Sequence, residues 1–185
     1  MKKTNALAML AAVVLAGGAL MAADNRVGVG IGWGVGYELF DDARMVGVSQ
    51  IIDLEFQMDT GLTLFVHTEQ QSVSADDGNN GSSEGKITYG GIGLNYNAGD
   101  WVSAGISVGK ADASFDNGDD VTSPYAQINL AVHMLNNKGK GKVDYRATIC
   151  LNYRFVMSGD VDINGNGDAA SLSGFQAALQ LGIGF

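Results

Sequence analysis

The chain lacks several features that would assign it to a common class of protein. It has a single cysteine, Cys150, so no disulfide can form within the chain. Beyond the N-terminal segment, no stretch reaches the roughly 18 uninterrupted apolar residues of a membrane-spanning helix. Basic residues are also few, since 11 Lys and Arg stand against 20 Asp and Glu. This acidic balance argues against nucleic acid as a partner, because phosphate backbones attract cationic proteins.

The N-terminal segment has the organisation of a secretory signal peptide. Lys2 and Lys3 supply positive charge, residues 6–20 form an apolar stretch, and the small residues Ala22 and Ala23 follow. We expect cleavage after residue 22 or 23, so that residues 1–23 direct export to the periplasm and residues 24–185 form the mature domain. An uncleaved anchor helix is the alternative, but the segment is short for a membrane span.

The rest of the chain shows alternation with a period of two residues. At the C-terminus every odd position from Phe175 to Phe185 is apolar, and no even position between them is large and apolar. This is the pattern of a β-strand with one apolar and one polar face. Eight such segments are predicted, at residues 26–40, 45–58, 62–71, 86–97, 101–110, 124–135, 143–157 and 172–185. Within the second, Gln50 and Ile51 reverse the pattern, which predicts a local β-bulge.

The connections between these segments alternate in length. Long polar loops are predicted at residues 72–85, 111–123 and 158–171, whereas every even-numbered connection is a turn of a few residues. Long outer loops and short periplasmic turns are typical of outer-membrane barrels. The sequence therefore predicts an all-β protein, an eight-stranded antiparallel up-and-down transmembrane β-barrel.

Two features indicate that the polar face lines the inside of this barrel. A soluble lipocalin-like barrel would instead turn its apolar face inward. First, aromatic residues of the apolar face cluster at strand ends, as expected for girdles at the two membrane interfaces. One predicted girdle consists of Phe56, Tyr96, Tyr145 and Phe185, and the other of Tyr37, Tyr153, Phe155 and Phe175. Second, the polar face carries mostly small or hydrogen-bonding residues, whereas a water-facing outer surface would be richer in Lys and Glu.

The signal peptide, the eight amphipathic strands, the acidic loops and the terminal segment LQLGIGF together resemble the small outer-membrane barrels of Gram-negative bacteria, the OmpA/OmpX type. The resemblance covers the whole mature chain and is architectural. It implies an integral protein of the bacterial outer membrane without a periplasmic domain. It also implies that Leu181, Ile183 and Phe185 form the signal that the barrel-assembly machinery reads.

The polar face places eight titratable residues in the barrel interior, and they are the candidate site. They are Asp53, Glu55, His67, Glu69, His133, Asp144, Arg146 and Arg154. Enclosed charges must pair because their desolvation is otherwise costly. Strand depth predicts Arg146 level with Asp53 and Glu55, and Arg154 nearer the outside, close to Glu69. Two interpretations remain open: a polar core that plugs the barrel, or a narrow ion path beside the glycine-rich wall of the first strand.

The last long loop contains a partial calcium-binding pattern. Asp160, Asp162, Asn164, Asn166 and Asp168 supply oxygen atoms at alternate positions, and Gly165 allows the sharp turn. Ser171 occupies the twelfth position, where a bidentate Glu is expected. The sequence thus leaves open a weak Ca²⁺ site or a solvated turn-rich loop, and it predicts no other cofactor.

These patterns favour a non-enzymatic protein. No GxSxG, HExxH or P-loop motif is present, and no catalytic residue is predicted. We expect a structural or surface-interaction barrel that displays acidic extracellular loops, with a narrow porin-like channel as the alternative and a lipid-modifying enzyme as a weaker one. The expected partners are outer-membrane lipid, lipopolysaccharide and the assembly machinery, and the expected state is a monomer.

Overall fold

The computed structural model describes residues 26–39, 44–58, 60–76, 82–116, 118, 120–137, 143–157, 160–162 and 169–185. The predicted signal peptide, residues 1–23, lies outside the described residues. Among the described residues, no helix is long and apolar enough to cross a membrane. Every described element is a strand: β1 (Arg26–Leu39), β2 (Arg44–Gln57), β3 (Leu62–Asp76), β4 (Ser82–Asn97), β5 (Val102–Phe115), β6 (Val121–Asn136), β7 (Asp144–Val156), β8 (Asp160–Asp162), β9 (Ala169–Ser171) and β10 (Gly174–Gly184).

Eight of the strands close into one antiparallel barrel. Consecutive strands from β1 to β7 pair with each other, and β10 pairs with both β7 and β1, so the sheet has no free edge. The short strands β8 and β9 form a separate hairpin in the connection between β7 and β10. The predicted eight-stranded up-and-down antiparallel barrel is confirmed.

The strand register fixes how steeply the strands tilt. Starting from Val66 on β3, directly opposite residues of neighbouring strands lead through β4, β5 and β6 to Phe155 on β7, and through β2, β1 and β10 to Tyr145 on the same strand. The two paths reach β7 at residues that are ten positions apart, so the barrel has a shear of ten residues. For eight strands this shear corresponds to a tilt of about 42°, so each residue rises about 2.5 Å along the barrel axis. Going from β2 through β3, β4, β5 and β6 to β7, each directly opposite residue lies about 3 Å nearer the outer rim than the one before it.

Short turns close the end of the barrel that we expect to face the periplasm. Gly61 and Gly99 have φ values of 84° and 80°, a conformation that residues with a side chain adopt at a cost. The turn between β2 and β3 is tied by a hydrogen bond of 3.2 Å from the Gly61 N–H to the Met58 carbonyl. These glycines allow neighbouring strands to reverse direction within a few residues.

The period-two pattern of the sequence becomes an apolar outer wall and a mostly polar lumen. Outward-facing Val, Ile, Leu and aromatic side chains are exposed on every barrel strand, among them Val48, Ile92, Ile106 and Phe175. The ring of Tyr153 lies 4.4 Å from the rings of Phe155 and Phe175, centre to centre, and these three form an aromatic cluster on the outer rim. On β7, the outward residues from Tyr145 to Phe155 span about 25 Å along the axis.

Several strands are longer than predicted. β3 continues to Asp76, β4 begins at Ser82, β5 continues to Phe115 and β6 begins at Val121. The predicted loops at residues 72–85 and 111–123 are therefore largely strand, a correction to the sequence-based boundaries. The physical reason is that these segments lie above the apolar wall, where outward side chains such as Ser72, Ser74 and Ser114 face water but backbone pairing continues.

The predicted bulge at Gln50 and Ile51 is wrong. β2 pairs continuously with β1 and β3 through both residues, with Gln50 exposed on the outer wall and Ile51 buried inside. The register instead shifts in β6 between His133 and Leu135, which leaves Met134 and Leu135 both exposed. A strand therefore tolerates one outward amide without a bulge, and the amide remains on the outer wall.

The glycines of β1 leave room that neighbouring side chains fill. A side chain at Gly32 would collide with Gln180 of β10, and one at Gly34 would meet Ser49 of β2 at 2.8 Å. A side chain at Gly36 would collide with Gln71, which reaches across from β3. At these three positions the bare strand thus accommodates polar side chains from β10, β2 and β3.

Candidate functional site: the barrel lumen

The structure brings the eight predicted interior residues into the lumen, seven of them in two levels of ion pairs and His133 apart from both. The central level joins β2, β3 and β7. Nδ1 of His67 lies 2.6 Å from a carboxylate oxygen of Asp53, and its Nε2 lies 3.3 Å from Glu69. Arg154 donates from an Nη atom to the same Glu69 oxygen over 2.7 Å. Glu69 is only 1% exposed, so its charge depends on these partners rather than on water.

Uncharged side chains complete this central network. Arg154 also donates from Nε to the Gln127 side-chain oxygen over 2.8 Å. Gln176 of β10 donates to Ser49 and Glu69, and Gln180 donates to Asp53 over 2.6 Å. The network therefore joins five of the eight barrel strands across the lumen, which fixes the barrel cross-section at this height.

A second level of ion pairs lies nearer the periplasmic end. Arg146 of β7 donates to Glu55 of β2, as the predicted depth of Arg146 required. Arg26 of β1 donates to Asp144 of β7. Arg26 was not among the lumen residues predicted from the sequence. Its place as the first residue of the first predicted strand, beside the lumen entrance, was the signal that could have identified it.

The other lumen residues make neutral contacts. Nδ1 of His133 lies 2.9 Å from the Thr148 hydroxyl oxygen. Cys150 is buried, and its thiol donates to the Gln180 side-chain oxygen over 3.2 Å. The Cys150 thiol therefore faces an amide oxygen, which is not the base that activates a nucleophilic thiol.

The charges of the lumen balance when the His67 ring carries both protons. Four carboxylates lie in the two levels of ion pairs: Asp53, Glu55, Glu69 and Asp144. Three arginines face them, and both ring nitrogens of His67 lie beside carboxylate oxygens. Only a doubly protonated imidazole can donate to two carboxylates at once. Among the described side chains, the two levels then hold four charges of each sign, which is the condition for enclosing them at an acceptable cost.

The outer third of the lumen is apolar, which sequence reasoning missed. We call this cluster the outer plug, and its buried members are Met45, Val73, Ala75, Ile87, Tyr89, Ala111, Ala113, Phe115, Tyr125 and Leu172. Leu172, just before β10, is fully buried against the cluster. The alternation of β3 to β5 continues into these segments with its polarity reversed, apolar inside and polar outside. That reversal was the signal that could have identified the plug.

Arg154 links the outer plug to the polar network below it. Its guanidinium carbon lies 3.5 Å from the centre of the Tyr89 ring and 5.6 Å from that of Tyr125. The two rings meet edge to face, with centres 5.5 Å apart. A guanidinium over an aromatic face is a favourable contact, especially where water is excluded. Arg154 and Tyr89 therefore close the lumen between its polar and apolar parts.

Small cavities remain below this closure. One of about 40 Å³ opens at the periplasmic end beside Arg146, Asp144 and His133. A second of about 40 Å³ lies deeper, between His67 and Arg146. Asn95 and Asn129 line the deeper cavity, and each has a buried polar atom without a hydrogen-bond partner among the described residues. Polar spaces of this size accommodate a few water molecules rather than an organic ligand.

The other predicted site residues lie elsewhere. Leu181, Ile183 and Phe185 face outward on the last strand and are exposed. Within the predicted calcium loop, Asn164, Asn166 and Asp168 lie outside the described residues, whereas the backbone of Asp160 and Asp162 lies in β8 and pairs with β9. In the part of the chain that the structure describes, no group of three His, Cys, Asp or Glu side chains is placed to hold a metal ion.

Comparison with solved structures finds other barrels of similar architecture. The crystal structure of Neisserial surface protein A overlaps 88% of this chain and 96% of that chain, with 15% sequence identity and a TM-score of 0.50. The outer-membrane protein OprG from Pseudomonas aeruginosa overlaps the same shares with 9% identity and a TM-score of 0.56. The fold is that of the small eight-stranded outer-membrane β-barrels. Ail, the attachment invasion locus protein of Yersinia pestis, agrees over 88% of this chain and 98% of that chain, with 11% identity and a TM-score of 0.52. No protein-family model matches the sequence, and no curated protein is similar to it in sequence.

Proposed function

We propose that the protein is an integral barrel of the bacterial outer membrane, with a closed lumen, that presents its outer end as an interaction surface. The likeness to solved structures supports the fold. The membrane location, the export through the periplasm and the surface role are inferences from the physical properties of the chain.

The outer wall supports the membrane location. A soluble monomer rarely exposes a large continuous apolar patch, yet here outward apolar residues encircle the barrel. Their height of about 25 Å on β7 equals that of the apolar band of outer-membrane barrels. The exposed aromatic residues Tyr145 and Phe185 lie at one end of this band and Phe155 and Phe175 at the other, where amphipathic rings suit the membrane interfaces.

The closed lumen is the observation that carries the proposed role. Above the Arg154–Glu69 ion pair the interior is filled by the outer plug, whose largest members, Tyr89 and Tyr125, are almost fully buried. Dewetted apolar constrictions of this kind stop ion flow. A barrel closed in this way supports a scaffold in preference to a pore.

The outer end has the features of a displayed surface. β3, β4 and β5 continue past the apolar wall with outward Ser74, Lys86 and Asp112, which are exposed. Lipopolysaccharide phosphates are a suitable partner for exposed lysines at this height, and Lys110 at 60% side-chain exposure is a second such group. The names of Neisserial surface protein A and the attachment invasion locus protein are consistent with a surface role for this architecture.

Electrical recording in planar lipid bilayers tests the closed lumen. We expect the refolded wild-type protein to insert and remain silent. A Tyr89→Ala, Phe115→Ala double variant, which removes two rings from the outer plug, is expected to conduct ions. It is the positive control, since its conductance shows that the assay detects inserted barrels. Steady ion conductance by the wild-type protein at low voltage would instead favour the porin-like channel.

The channel alternative has one observation in its favour. The periplasmic half of the lumen contains polar cavities. The buried polar atoms of Asn95 and Asn129 that lack a partner among the described residues could hydrogen-bond to water there. Displacement of the outer plug would extend this wet region to the outside. An enzymatic role has no such support, because both ring nitrogens of His67 lie beside carboxylate oxygens and neither is available to accept the Ser49 hydroxyl proton.

A further inference from the structure

Among the described residues, the outer wall is interrupted by a polar patch on β2, β3 and β4. We call it the amide patch and define it by Gln50, Thr68, Gln70 and Gly90, all of which are exposed. Gln50 and Gln70 are directly paired across β2 and β3, and Thr68 pairs with Gly90 across β3 and β4. A side chain at Gly90 would meet no atom within 4 Å, so the surface there is a shallow recess.

The amide patch lies within the membrane band and not above it. Gln50 is the register partner of Trp33 on β1, and it interrupts an otherwise apolar outward row between Val48 and Ile52. From the strand tilt, Gln50 and Thr68 lie about 6 to 8 Å closer to the membrane centre than Phe155. Gln70 lies at about the height of Phe175. Near the height of Gln50, the outward residues of β5 and β6 across the barrel, Val108 and Ile128, are apolar and exposed.

The polar side chains of this patch point away from the lumen and are exposed. Among the described residues, no hydrogen bond joins the side chain of Gln50, Thr68 or Gln70 to another group. Hydrocarbon offers no substitute for water, so an amide that faces it loses its hydrogen bonds. Lipid headgroups lie above this depth, and anionic headgroups select cations such as Lys86 and Lys110 rather than neutral amides.

We propose that the amide patch is the contact between two copies of this chain in the membrane. Each amide both donates and accepts, so an uncharged amide surface is complementary to its own copy across a two-fold axis along the membrane normal. Small residues let transmembrane segments approach closely and polar side chains then bond between them. Thr68 and Gly90 supply the close approach, and Gln50 and Gln70 supply the hydrogen bonds. The inference rests on the proposed membrane location and replaces the monomer expected from the sequence.

Cysteine cross-linking in lipid vesicles tests this contact. In a Cys150→Ala background, Gly90→Cys places a thiol in the patch, and Ala177→Cys places one at a similar height on β10 as the matched control. At one barrel per several thousand lipids, thiol oxidation should give at least ten times more covalent dimer from Gly90→Cys than from Ala177→Cys. Adding Gln50→Leu and Gln70→Leu to the Gly90→Cys protein should reduce that yield at least fivefold.

Several outcomes would overturn the proposal. Equal cross-linking at the two positions would mean random collision, and cross-linking unaffected by the two leucines would mean that the amides make no contact. Single-molecule photobleaching of labelled wild-type protein provides an independent reading, and one bleaching step per particle would indicate a monomer in a locally thinned bilayer. Heat-modifiable gel mobility separates the two levels of inference: an inserted, folded monomer contradicts the dimer alone, whereas failure to insert contradicts the membrane location.

Discussion

Replacing Arg154 should destabilise the barrel more than any change to a surface charge. Arg154 pairs with Glu69, and the side chains of both are almost completely buried, at 4% and 0% exposure. In an Arg154→Met variant the carboxylate of Glu69 keeps His67 and Gln176 but loses its only guanidinium partner among the described residues. Breaking a buried pair on one side costs about 3–5 kcal/mol, because a charge remains without compensation.

A second substitution distinguishes the cost of leaving the Glu69 charge unpaired from the cost of losing the packing of Arg154. In the Glu69→Gln, Arg154→Met double variant the buried charge is gone, and a neutral amide still hydrogen-bonds with His67 and Gln176. The double variant should therefore recover most of the stability lost by Arg154→Met, since neutral replacements of buried pairs are often tolerated. Lys110→Met is the surface control: its pair with Asp112 is more than half exposed, and its loss should cost about 0–1 kcal/mol.

Urea-induced unfolding from phospholipid vesicles, followed by tryptophan fluorescence and gel mobility, measures these differences. The expected order of unfolding free energies is wild type and Lys110→Met highest, the double variant next and Arg154→Met lowest. Two results would refute the reasoning: a cost below about 1 kcal/mol for Arg154→Met, the level of a surface pair, or a double variant less stable than the single one.

Three further predictions concern packing inside and outside the lumen. Gly105→Ala should cost about 1–3 kcal/mol, since its new methyl group would collide with the Leu94 carbonyl oxygen, whereas Gly90→Ala, which meets open space, should leave the urea midpoint nearly unchanged. Leu172→Ala should cost about 2–5 kcal/mol through a cavity in the outer plug, and an unchanged midpoint would show that Leu172 does not seal it. Cys150 should resist a water-soluble maleimide in the folded barrel and react after unfolding, and mass spectrometry would detect labelling of the folded protein as the contrary result.

The alternation of the sequence predicted the membrane-embedded part of the fold well. Within that part the solvent on each face is constant, lipid outside and polar atoms inside, so each strand repeats one pattern. Strand β7 is the clearest case, with Tyr145 to Phe155 outward and Asp144 to Arg154 inward. The inward placement of the charged residues followed from the same pattern, and the pairs Arg146–Glu55 and Arg154–Glu69 followed from their depth.

The outer part of the fold was not predictable from the same rule. Above the membrane both the outside solvent and the filling of the lumen change, so the pattern inverts: Val73 and Ala75 face inward while Ser72 and Ser74 face out. Ser, Gly and Asp are also the common residues of loops, which hid these strand ends. Contacts between distant strands, such as Arg26 with Asp144, depend on barrel closure and on a shear that alternation does not specify.

The central claim is that the apolar wall of the barrel faces hydrocarbon. Single-tryptophan variants, Trp101→Phe and Trp33→Phe, can be reconstituted in vesicles of lipids brominated at known depths along the acyl chain. Trp33 lies about 4 Å from the middle of the wall, whereas Trp101 is exposed in the turn before β5. The account predicts that deep bromines quench Trp33 most and that shallow bromines quench Trp101 most. A protein that stays soluble without detergent and whose Trp33 no bromine quenches would contradict it.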